Sequence, residues 1–202
     1  LIISSHAYVE QQGQAGPWQI GVYKDELVPG LTRMTAAVHA EGGKIVMQIA
    51  HAGIFASDKL TGSPALAVSV DPESLEKNPH REITGGEIDT LTRAFADAAG
   101  RAKAAGFDGV QLHTAHGYLL SQFLSPIFNR RTDAYGGGIE NRVRIHVQIL
   151  RAVRETVGAD FPVLAKLNAS DYAEGGLAVE DAAAAARMLT ENGLDALELS
   201  GG

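Results

Sequence analysis

Apolar residues along this chain gather in short continuous runs, separated by longer stretches with helical spacing. The runs are Leu1–Ser4, Lys44–Ala50, Gly109–His113, Val163–Asn168 and Ala196–Ser200. Each is leucine-rich or β-branched and bounded by glycine or polar turns, the pattern of a strand. They are apolar on both faces, as a sheet covered by helices requires. Between them, Asp25–Glu41, Thr84–Ala105, Ile139–Val157 and Val179–Asn192 predict helices. Gly42, Gly106, Gly158 and Gly193 follow these segments as C-terminal stops. Thr84 with Glu87 three residues on predicts a capping box. Glu180 and Asp181 put negative charge at the start of the last helix.

Alternation of strand and helix predicts an α/β fold with a parallel sheet. An open doubly wound sheet and a closed (β/α)8 TIM barrel both fit. No G-x-G-x-x-G opens a helix and no Walker lysine motif is present, which disfavours a nucleotide-binding open sheet. Gln48, His113, Lys166 and Ser200 stand near the C-terminal ends of four different strands. That distribution favours a barrel, whose chemistry is done at that mouth. About five of the eight barrel strands are then present, with the first and the last two missing. The chain opens directly on a strand and stops just after one, so a partial barrel, a piece of a longer protein, is expected. Such a piece leaves two sheet edges unpaired. Residues 52–83 lack periodicity and are punctuated by Pro64, Pro72 and Pro79. A loop of that length within a domain is usually functional.

Composition narrows the partners. The net charge of −7 and the absence of any basic cluster beyond Arg130-Arg131 argue against nucleic acid. No apolar run approaches the ~20 residues of a membrane helix. With no cysteine, the 202 residues hold no disulfide, thiolate nucleophile or iron–sulfur ligand. A cytoplasmic setting fits these features.

The chemistry concentrates in Gly106-Phe107-Asp108-Gly109-Val110-Gln111-Leu112-His113-Thr114-Ala115-His116-Gly117-Tyr118. On a continuing strand, residues 113 and 116 would point to opposite faces. They converge only if the chain bends after His113, and Gly117 is placed to allow it. Two imidazoles aimed at one point can donate hydrogen bonds to a carbonyl or anionic oxygen. Tyr118 follows as a phenol with a proton to give. A metal reading competes, because H-x-x-H can ligate zinc, although no third ligand lies close in sequence. Gln48 is an amide inside an apolar strand, and it needs a polar partner there. Lys166 is a cation in similar surroundings, almost never buried unpaired. For these two, a structural amide bridge and an interior salt bridge stand beside a ligand-binding role. Ser200, Gly201 and Gly202 end the last strand with small residues that allow close approach of a ligand. His51 stands three residues beyond Gln48, and a supporting role suffices for it.

The run from Gly106 to Arg142 continues through Leu119-Leu120-Ser121-Gln122-Phe123-Leu124-Ser125-Pro126, Asn129-Arg130-Arg131-Thr132-Asp133-Ala134-Tyr135-Gly136-Gly137 and Glu140-Asn141-Arg142. It resembles the signature of the Old Yellow Enzyme family, the FMN-dependent ene-reductases and their dienoyl-CoA reductase relatives. A weaker resemblance runs along the whole chain. The resemblance implies a (β/α)8 barrel, bound FMN, and NADH or NADPH as hydride donor for a small-molecule alkene. It implies that His113 and His116 hold the substrate oxygen and that Tyr118 supplies the proton. Gln48 and Lys166 would meet the flavin ring, with Ser200 and Gly201 close by. It implies further that residues 52–83 form a lid. Where the family often carries Arg after Gly53, Ile54 stands here. Asn129, Arg131, Asp133 and Arg142 belong to the signature but are expected to brace the loop with ion pairs and caps. Two alternatives remain: a metal-dependent barrel hydrolase built on His113 and His116, and an inactive fragment. The 202 residues alone are expected to bind FMN poorly, because barrel phosphate sites commonly come from the loops after strands seven and eight.

Overall fold

The apolar runs assemble into one parallel sheet. The computed structural model describes residues 1–73 and 75–201. The sheet contains β1 (Ile2–Ile3), β2 (Ala7–Tyr8), β3 (Ile45–Ala50), β6 (Gly109–Thr114), β7 (Val163–Asn168) and β8 (Ala196–Ser200). Two further short strands, β4 (Ala65–Ala67) and β5 (His80–Glu82), pair with each other. The order across the main sheet is β1, β3, β6, β7, β8, with β2 also pairing β3. Each new strand is therefore added on the same side as the last. A doubly wound sheet reverses its order partway; a barrel wall does not, and this sheet does not.

The helices are α1 (Val28–Ala40), α2 (Asp58–Thr61), α3 (Gly85–Ala104), α4 (Leu119–Leu124), α5 (Ile139–Arg142), α6 (Arg144–Val157) and α7 (Val179–Glu191). Side chains alternate across each strand. Met47, Ile49, Val110, Leu112, Val163, Ala165 and Leu167 are fully buried in a core they share with Phe95, Ala98, Ala99 and Ala102 of α3 and Ile145, Ile149 and Val153 of α6. Burying each of the larger side chains contributes about 1.5–3 kcal/mol. The intervening positions, Gln48, Gln111, His113, Lys166 and Glu198, lie on the other face. Thus one face of the sheet supplies the core and the opposite one a set of polar groups.

Two expected strands, Val163–Asn168 and Ala196–Ser200, are found with those bounds. The others shift by a residue or two, and β6 runs on to Thr114. The capping box at Thr84 is present, with Glu87 N–H donating to the threonine hydroxyl and Thr84 N–H to the glutamate. Three expectations needed correction. The predicted helix from Asp25 begins as a 3-10 turn, Asp25–Leu27, and becomes α-helical only at Val28, where Pro29 needs no amide partner. The predicted helix Ile139–Val157 is interrupted at Val143, separating α5 from α6. Next to that turn, the buried Arg142 guanidinium donates to the carbonyls of Leu124 and Gly137 and pairs with Asp181 at 2.5 Å. Residues 52–83 are not featureless: β4 and β5 pair in parallel from Ala65 opposite His80 to Ala67 opposite Glu82. Strands of three residues are too short to show a period. Gly202, read in the sequence with Ser200 and Gly201, lies outside the described residues. Among the described residues, no helix is long and apolar enough to cross a membrane.

The excursion is tied to the signature loop. The Arg131 guanidinium donates to the carbonyls of Val68 and Ile83 at 3.1 and 2.8 Å, and pairs with Asp133 and Glu82. Asn129 donates to the carbonyls of Phe123 and Tyr135. A Cβ on Gly136 would lie 1.9 Å from the Arg131 carbonyl oxygen, a backbone atom that cannot yield cheaply. Gly136→Ala is therefore expected to cost about 1–3 kcal/mol, measured by urea denaturation; Gly137→Ala meets no such atom but puts a Cβ on a φ of 81°. His146 of α6 is fully buried, with Nε2 against the Leu120 carbonyl at 2.9 Å. Burial pushes its pKa down from 6.5 to about 4, against the raising effect of backbone hydrogen bonds. Between those values the unfolded chain binds the proton and the folded one does not, so stability falls as pH drops through that window. Denaturant midpoints measured across it should fall less steeply for His146→Gln, which keeps a donor but does not titrate.

Candidate active site

The two histidines converge because the backbone turns over between them. His113 lies in β6 opposite Lys166 of β7, which in turn lies opposite Glu198 of β8. The bend comes at His116 and Gly117 together, with φ values of 59° and 71°. Left-handed backbone is unfavourable for a residue with a Cβ, by about 1–2 kcal/mol, so His116 must be held there. The Asn168 side-chain oxygen accepts from its N–H at 3.1 Å, and the Gln122 amide donates to the Gly117 carbonyl at 2.6 Å. Tyr118 then occupies the N-cap position of α4 with extended backbone.

The His113 and His116 rings lie 5.1 Å apart, centroid to centroid, and the His113 and Tyr118 rings 4.9 Å. Both pairs meet edge to face. The sequence reading missed a fourth ring. His6 fills the gap between β1 and β2, stacks parallel to His113 at 6.0 Å and meets Tyr118 edge-on at 5.1 Å. Its Nε2 stands 3.3 Å from the Tyr118 hydroxyl. No periodicity marks a residue in a break between two-residue strands, so nothing in the sequence singled it out.

Burial holds the His113 pKa down at about 3, aided by His116, His6 and Lys166 and opposed by Glu198. His113 is therefore an uncharged hydrogen-bonding group near neutral pH. Burial and then Lys166 lower His116 as well, while burial raises the Tyr118 phenol, favouring its protonated form. His113 Nδ1 is buried without a partner among the described residues. Such an atom is costly to leave unmatched. His116 Nε2 meets the Ser200 hydroxyl at 2.6 Å. Ser200 thus contacts His116 directly.

Beside the rings runs a chain of polar contacts. Gln48 donates to Gln111 at 2.7 Å, Gln111 donates to one Glu198 oxygen at 2.9 Å, and Lys166 pairs with the other at 2.9 Å. Gln48 therefore bridges two strands and Lys166 has a salt bridge, the two structural arrangements open from sequence. Only one of the lysine's N–H groups is taken up by Glu198 in this pairing. The Glu198 pKa is lowered by its bonds from Lys166 and Gln111. Glu198 and Gln111 were missed, although an acid within the apolar run Ala196–Ser200 is as anomalous as a lysine within Val163–Asn168. A Cβ on Gly201 would meet nothing within 4 Å, so the chain itself sets no demand for glycine there. Among the described residues, no group of three or more His, Asp or Glu side chains is arranged to hold a metal ion.

This geometry has counterparts in known proteins. Residues 1–201 match the model of the NADH:flavin oxidoreductase / NADH oxidase family. An NADH oxidase of Thermoanaerobacter brockii is 41% identical over all of this chain, which covers 31% of that protein. An NADPH dehydrogenase of Geobacillus sp. is 40% identical, again over the whole chain and over 58% of its own length. The solved structure of the old yellow enzyme homologue from Zymomonas mobilis superposes with a TM-score of 0.88 at 30% identity, over 98% of this chain and 59% of that one. The chain thus spans 31% to 59% of these three proteins. The sheet is part of a barrel wall of the kind those structures close, and the chain belongs to the NADH:flavin oxidoreductase / NADH oxidase family, a family of FMN proteins.

Proposed function

We propose that these residues form the substrate-holding part of an FMN-dependent oxidoreductase that reduces activated C=C bonds of the enone, enal or dienoyl type. The observation that carries this reading is the convergence of His113, His116 and Tyr118 at the C-terminal end of β6, with rings within 5.1 Å of His113. The residues present fit the cofactor. The polar face offers donors and acceptors for a flavin pyrimidine edge, and Lys166 brings a cation. Gln48, Lys166, Ser200 and Gly201 would hold the ring. When bound, FMN supplies the hydride for the β-carbon, taken from NADH or NADPH.

The protein supplies position and protons. Uncharged His113 and His116 donate hydrogen bonds to the substrate carbonyl oxygen and stabilise the charge that gathers on it. The half-buried phenol of Tyr118 gives its proton to the α-carbon. Residues 52–83 act as a lid over the mouth, braced on the signature loop through Arg131. A metal-dependent hydrolase would need a third ligand near His113 and His116, and the described residues offer none.

Two variants of the full-length, FMN-loaded protein test this reading. In Tyr118→Phe, oxidation of the reduced enzyme by an enone should slow about a hundredfold, while its reduction by NAD(P)H changes little, both followed by stopped-flow absorbance. Equal loss in both half-reactions would reject Tyr118 as proton donor. Lys166→Met should weaken FMN retention at least about tenfold, roughly the worth of one charged hydrogen bond, measured by equilibrium dialysis. Unchanged retention would remove Lys166 from the flavin site.

A further inference from the structure

A phenolic hydroxyl can donate one hydrogen bond and accept others. Tyr118 can deliver a proton to a substrate only if its own O–H is not already spent on the protein. A ring nitrogen facing it, His6 Nε2 at 3.3 Å, could play either part. If Nε2 were unprotonated, the phenol would donate to it and be quenched. If Nε2 carries the proton, the phenol accepts and its own hydrogen is left for the substrate.

The surroundings of His6 decide between these. The Gln19 side-chain oxygen accepts from the Ala15 backbone N–H at 2.7 Å. A backbone N–H can only donate, so the orientation of the Gln19 amide is settled. Its NH2 group then points at His6, 2.9 Å from Nδ1 and 3.3 Å from the His6 carbonyl. A carbonyl only accepts, and an NH2 group only donates. His6 Nδ1 therefore accepts, and the ring proton stands on Nε2, facing Tyr118. His6 is further fixed by its parallel stacking on His113.

We infer that His6 and Gln19 are positioning residues for the proton donor: Gln19 sets the tautomer of His6, and His6 occupies the acceptor side of the Tyr118 hydroxyl so that its proton is directed to the substrate. The inference rests on the reading of Tyr118 as proton donor. No proton passes along this chain, because the Gln19 amide is too weak an acid to give one up. The pair orients and polarises the phenol. By donating to the phenol oxygen, His6 also stabilises the phenolate left after protonation, against the burial that raises the Tyr118 pKa.

The first measurement needs no variant. Heavy-nitrogen NMR of histidine in the full-length, FMN-loaded protein should show His6, assigned by its loss in His6→Phe, protonated at Nε2 and bare at Nδ1. In Gln19→Leu that preference should relax toward a mixture. With tyrosine labelled by heavy carbon at Cζ and Tyr118 assigned through Tyr118→Phe, His6→Phe should raise the titration point of the Tyr118 phenol. Stopped-flow oxidation by an enone should slow about tenfold in His6→Phe, while reduction by NAD(P)H stays within about twofold. A wild-type His6 protonated at Nδ1, or a Tyr118 titration unmoved by His6→Phe, overturns the inference. The two readings fail separately. If Tyr118→Phe leaves enone turnover intact, the proton-donor role falls whatever the NMR shows. If Tyr118→Phe slows it but His6→Phe changes neither titration nor rate, only the His6 assignment falls.

Discussion

The left-handed backbone at His116 and Gly117 is the constraint on which the site depends. A straight continuation of β6 would send His113 and His116 to opposite faces of the sheet. Two successive positive φ angles reverse the chain within a few residues and set Tyr118 at the start of α4. Gly117 takes that conformation freely; His116 does not, and strain at a residue with a Cβ must be over-determined by its surroundings. Asn168 supplies part of that restraint from the end of β7, and Gln122 supplies part from α4. The turn is thus held by the elements on either side of it, and it persists only while the sheet register does.

The same register arranges the electrostatics. Neighbouring strands bring Lys166 and Glu198 level with His113, and place Gln48 level with Gln111 two positions below. Like-signed or unpaired groups in such a position would be expensive. The order cation, carboxylate, amide, amide leaves each donor facing an acceptor, through to Gln48 on β3. That arrangement keeps a positive charge beside His113, whose burial keeps it uncharged, and beside the exposed His116, whose pKa is lowered in the same direction. The site therefore holds hydrogen-bond donors of fixed polarity rather than mobile charges. Such preorganised donors suit the proposed reaction, in which charge builds on a substrate oxygen. His6 belongs to the same design, since its polarity too is set by a neighbour with no freedom of its own.

Much of this was legible along the chain. Continuous apolar runs between glycine-stopped helices specified a parallel sheet, since such runs are buried wherever helices cover the sheet. The capping box at Thr84 was readable because it is a local contact three residues long. His113, His116 and Tyr118 stood out because polar groups ending an apolar run are costly without a task. The short strands β2, β4 and β5 were not readable, because two or three residues carry no period and their pairing is not local. The break at Val143 was hidden for a similar reason: the apolar spacing of a helix runs through it, and the partners of Arg142 come from Leu124, Gly137 and Asp181.

The sequence by itself determined the fold class, the rim on which the chemistry stands and the residues of the central motif, because each of those follows from local periodicity and from the cost of burying polar groups. Only the tertiary structure decided that Gln48 and Lys166 are joined through Gln111 and Glu198, and that His6 and Gln19 stand behind Tyr118. Those pairings span separations from tens of residues to more than a hundred. Nothing in a local pattern records them, because they arise only when parallel strands are brought into register and a break in the edge strand frees one histidine to turn inward.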